Sequence, residues 1–71
     1  MNPYKVTETT VKVNEHEIKL IACAGQINAA HDYMEDLTIV AAALESEGLT
    51  AQIIPCKASD GSVIFYNLIA Q

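Results

Sequence analysis

Seventy-one residues bound this chain to one small domain, 1–71, whose core is marginal because a short chain buries only about 60% of its unfolded surface. Four lysines, no arginine and a net charge of −5 argue against nucleic acid and anionic membranes, which are bound by clustered cations. Half of the residues are hydrophobic, which argues against disorder and favours burial beyond what one small core supplies.

The opening Met1-Asn2-Pro3-Tyr4 lacks the basic and apolar segments of a signal peptide, and no apolar run reaches the ~18 residues of a membrane span. A cytoplasmic location is expected, with Cys23 and Cys56 reduced and buried. Residues 4–13 are rich in Val and Thr and read as a strand with one polar face. Asn14, Glu15 and His16 form a polar break, and residues 17–24 read as a second strand closing a hairpin.

A helix follows. The apolar stripe Ala30, Tyr33, Met34, Leu37, Val40, Ala41, Leu44 has helical spacing, with Asn28 as the expected N-cap and Gly25 to Asn28 as the link. Gly48 marks the stop, since glycine takes the left-handed conformation at low cost, and Leu49 behind it fits a Schellman end. Residues 49–58 read as a third strand, at an edge or bulged near Pro55, which has no amide proton to donate. Asp60-Gly61 is a hairpin turn, and residues 63–70 are the most apolar strand. The expected fold is α+β, ββαββ, a four-stranded antiparallel sheet with one amphipathic helix on one face.

A turn at Asp60-Gly61 sets Cys56 opposite Phe65, Pro55 opposite Tyr66, Ile54 opposite Asn67 and Ile53 opposite Leu68. Both faces of that hairpin are then apolar. One carries Ile54, Cys56, Phe65 and Ile69, the other Ile53, Ile64, Tyr66 and Leu68. One helix covers one face, and an antiparallel sheet with a wet side should be polar there. The uncovered face is therefore expected to meet a second copy, with Ile53, Ile64, Tyr66 and Leu68 as the self-association residues of a homodimer.

Candidate chemistry is sparse. Cys23 and His31 are the only thiol and imidazole worth weighing as a nucleophile and base, but Cys23 has no basic neighbour to make it a thiolate. His31 and Glu35 lie one helical turn apart, with Asp32 and Asp36 beside them, a spacing that suits a metal but lacks a third and fourth ligand at a readable interval. Glu15-His16-Glu17 is a second fragment of that kind and reads more simply as a solvated turn. No CxxC pair or Gly-rich phosphate loop is present. No catalytic residue, metal or cofactor is expected.

Ile39, rimmed by Asp32, Glu35 and Asp36, reads as a partner-binding patch on the outer helix face. The expected function is a small acidic non-enzymatic interaction protein, with an inhibitor or adaptor acting on a basic protein surface as its sharper form. The alternative is a small-molecule binder or enzyme with a pocket between subunits, using Tyr33, Tyr66, Cys23 and His31.

Overall fold

The computed structural model describes residues 5–71. Its elements are β1 (Thr7–Val13), β2 (His16–Cys23), β3 (Gln26–His31), α1 (Met34–Ser46), β4 (Ala51–Lys57) and β5 (Val63–Ala70). They form one five-stranded sheet in the order β1-β2-β3-β5-β4, with every neighbouring pair antiparallel. The fold is α+β as expected, but with five strands rather than four. The expected strand start at Tyr4 lies outside the described residues.

The extra strand comes from the segment read as the helix lead-in. Ala24 (φ 52°) and Gly25 (φ 79°) are both left-handed, and Cys23 faces Gln26, so a two-residue turn folds β3 back onto β2. Asn14 (φ 50°) and Glu15 (φ 70°) make the equivalent turn between β1 and β2, with Val13 opposite His16. Positive φ at both central residues is the type I′ pattern, whose twist matches that of the flanking strands. Ala30 and His31 therefore belong to a strand, and Asn28 is not an N-cap. The helix starts after Tyr33, which makes no side-chain capping bond.

The helix stop is as the sequence predicts. Gly48 (φ 93°) donates to Glu45 O at 3.0 Å, and Leu49 donates to Leu44 O at 3.2 Å, the two bonds of a Schellman motif. The last hairpin also keeps its expected register, including Ile53 with Leu68 and Cys56 with Phe65. β4 is an edge strand, and its bulge falls at Cys56/Lys57, next to Pro55.

The helix bridges β3 and β4, which both flank β5 and therefore run parallel to each other. It seals a core of Ile18, Ala29, Leu37, Val40, Ala41 and Leu68, with Ile53 and Tyr66 packed against it. This corrects which face is open. Leu68 is wholly buried, Ile53 and Tyr66 lie half-buried on the same face, and only Ile64, beside the bulge, remains exposed. The alternation of β5 therefore turns Phe65, Asn67 and Ile69 to the uncovered side.

Candidate functional site

Three elements bring their ends together at one corner of the helix-covered face. The start of β2 presents His16, with Asn14 in the turn before it, the last residue of β3 presents His31, and the first turn of α1 presents Asp36. Asp36 is 1% exposed, the one buried charged residue among those described. Its Oδ1 accepts from Asn14 Nδ2 at 2.9 Å. Its Oδ2 lies 2.7 Å from both His16 Nδ1 and His31 Nε2. An ionised carboxylate only accepts, so both ring nitrogens carry the proton in this arrangement.

A buried carboxylate is costly unless paired and hydrogen-bonded, and here three donors meet that need. The Asn14 hydrogen bond does most to pull the Asp36 carboxyl from its ordinary 3.8 down to about 2, followed by that of His31. Burial opposes the shift, and His16 adds to it through a hydrogen bond and through charge. Tyr33 closes the rim. Its ring stacks on His16 with centroids 4.4 Å apart and meets His31 edge-on at 5.6 Å. The side chain of His31 is 9% exposed and that of His16 41%, so the cluster opens to solvent on the His16 side.

This site joins two fragments that the sequence kept apart. His31 and Asp36 belonged to one expected spacing, His16 to the other. The reading of Asp36 as solvated and partner-binding is corrected: Asp36 stands four residues before Val40 and eight before Leu44, on the inward stripe. Asp32 and Glu35 are exposed, as is Ile39 at 49%. Cys23 faces Gln26, five residues along β3 from His31 and on the opposite face of the sheet. About 17 Å of strand therefore separates the thiol from the imidazole, and the two make no dyad.

Two apolar surfaces flank the cluster. Ile39 lines a groove of about 180 Å³ between the helix and the first hairpin, with Val11, Val13, Leu20 and Ala43. The second surface is the open sheet face, where Ile21, Ile54, Cys56, Phe65 and Ile69 are partly or fully exposed. The β1–β2 half of that face is instead charged, with Glu8, Lys12, Glu17 and Lys19 exposed and Lys19 Nζ 3.9 Å from Glu8 Oε2. A shallow depression of about 320 Å³, lined by Ala30, His31, Asp32, Ile64 and Phe65, connects the cluster's edge to the apolar strip. No helix among the described residues is long and apolar enough to cross a membrane. No family model, curated protein or solved structure matches this chain.

Proposed function

We propose that this chain is a small acidic, non-enzymatic interaction protein that forms a homodimer through the open face of its sheet. The observation that carries this reading is the group of Ile54, Cys56, Phe65 and Ile69 on the β4–β5 half of that face, where the polar positions, Gln52 and Asn67, are both uncharged. A solvated antiparallel face should alternate to polar residues, as the β1–β2 half does. The second copy is the occupant because of charge. Two chains at −5 repel, and the strip contributes no ionised carboxylate or ammonium to that repulsion. The helix surface, with Glu35 and Glu45, and with Glu47 at its C-cap, would add to it.

Two such sheets stack at about 10 Å, the ordinary sandwich spacing. The helix surface is then left for a foreign partner. Ile39 stands four residues after Glu35, and this apolar and acidic combination suits a basic protein surface, the role of an inhibitor or adaptor. Light scattering over a dilution series tests the dimer. Wild type is expected at twice the chain mass and Ile54→Lys at the chain mass, with an unchanged circular dichroism spectrum. A wild-type monomer at every concentration overturns the reading.

A second reading, a small-molecule site between subunits, draws support from the depression beside His31. Phe65 belongs both to its lining and to the strip, so a second copy on the strip would roof it. Of the four polar groups weighed for this role, His31 alone lines it; Tyr33 stands at the cluster's rim, Tyr66 packs under the helix and Cys23 lies away on β2. Melting that stays constant across a metabolite panel would remove this reading.

A further inference from the structure

We propose that His16 Nδ1, His31 Nε2 and Asp36 Oδ2 form a three-ligand site for a divalent transition-metal ion of the zinc class. The three atoms all lie within 4.8 Å of one another. Both imidazoles address the same carboxylate oxygen, while Asn14 holds the other. That division of labour is the one a ligating carboxylate needs: one oxygen for the ion, one fixed by an outer hydrogen bond. Three separate elements supply the ligands, so the fold itself assembles them.

The donor set selects the class of ion. Calcium and magnesium take six or more oxygens and keep waters, and one carboxylate with two imidazoles does not offer that. Two nitrogens and one oxygen suit zinc and its neighbours, with a fourth position for water. Access lies past His16, whose side chain is 41% exposed beside the exposed Tyr33. Bonds of about 2.0–2.1 Å set tetrahedral ligand atoms about 3.3 Å apart, so each 2.7 Å contact must widen by about 0.6 Å. Movement of the His16 ring at the rim supplies part of this. Each imidazole frees its ligating lone pair when the proton it donates to Asp36 leaves that nitrogen.

The rival account is a hydrogen-bonded cluster with no metal affinity. Titration of the full chain with zinc chloride by calorimetry, and with cobalt(II) by visible absorption, separates the two. One ion per chain is expected, with the intense visible bands of a four-coordinate cobalt site. His16→Gln and His31→Gln should each weaken binding at least tenfold, and Asn14→Ala, acting through the carboxylate, by about tenfold or more. His16→Gln sits at the rim and decides the matter if His31→Gln fails to fold. Absence of saturable one-to-one binding by wild type overturns the proposal. So does equal affinity in wild type and His16→Gln, which would place the ion on surface carboxylates.

Discussion

Asp36 shows how one side chain changes role once its neighbours are known. Among Asp32 and Glu35 it reads as part of a solvated face, and only its spacing to Val40 and Leu44 marks it as inward. Its partners come from positions 14, 16 and 31, so no local pattern announces them. The energetic consequence has a definite sign. The folded-state value of about 2 lies below the ordinary 3.8, so ionised Asp36 stabilises the fold above 3.8 and ceases to as pH falls through about 2. Asp36→Asn should be less stable than wild type at neutral pH, and the gap in urea midpoint should narrow as pH falls from 4 to 2. A gap independent of pH over that window would contradict the pairing. Ala24 carries a different strain, a left-handed φ of 52° in a residue with a Cβ. Ala24→Gly should raise stability by about 0.5–1 kcal/mol in urea melts, since αL costs a non-glycine residue about 1–2 kcal/mol and added chain entropy offsets part of the relief.

Elements were legible where a single residue type forces the backbone. Gly48 and Asp60-Gly61 are such places, and the helix end and the last hairpin follow the sequence reading there. In that last hairpin, the turn of residues 59–62 is tied by Ser62 N–H and Oγ, which both donate to Asp60 Oδ1, at 2.9 and 2.6 Å. Gly48→Ala places a methyl group in open space, so its cost is backbone strain alone, about 1 kcal/mol by thermal melting, with Gly48→Asn milder. β3 was not legible because its two alanines favour helix and its Asn is disfavoured in strands, leaving Ile27 as its one strand-forming residue. Its period of two was nevertheless present: Ile27, Ala29 and His31 point to the helix, and Gln26, Asn28 and Ala30 point away. The apparent helical spacing from Ala30 through Tyr33 to Met34 was a coincidence of small and aromatic residues, and Tyr33 and Met34 end up 46% and 50% exposed.

At the scale of the whole molecule, one helix about 10 Å wide meets a sheet of five strands, about 24 Å across. It packs chiefly over β4 and β5, which explains both the sealed core there and the apolar groove left over the first hairpin. Leu37 is the centre of that seal, wholly buried, and Leu37→Ala should cost about 2–5 kcal/mol in chemical denaturation. The sequence showed that both faces of the last hairpin are apolar. Which face the helix takes depends on the crossover from β3 to β4, a long-range feature that no local pattern encodes. The open strip is what remains, and in the proposed dimer a second copy covers it. Cys56 lies in that strip as a thiol outside any disulfide. The most direct measurement is the rate of maleimide labelling at Cys56, read by peptide mass spectrometry, on protein diluted from the dimeric into the monomeric range. Labelling that accelerates as the dimer dissociates is the expected result. A rate that stays constant while the mass halves would place the interface elsewhere and contradict the account.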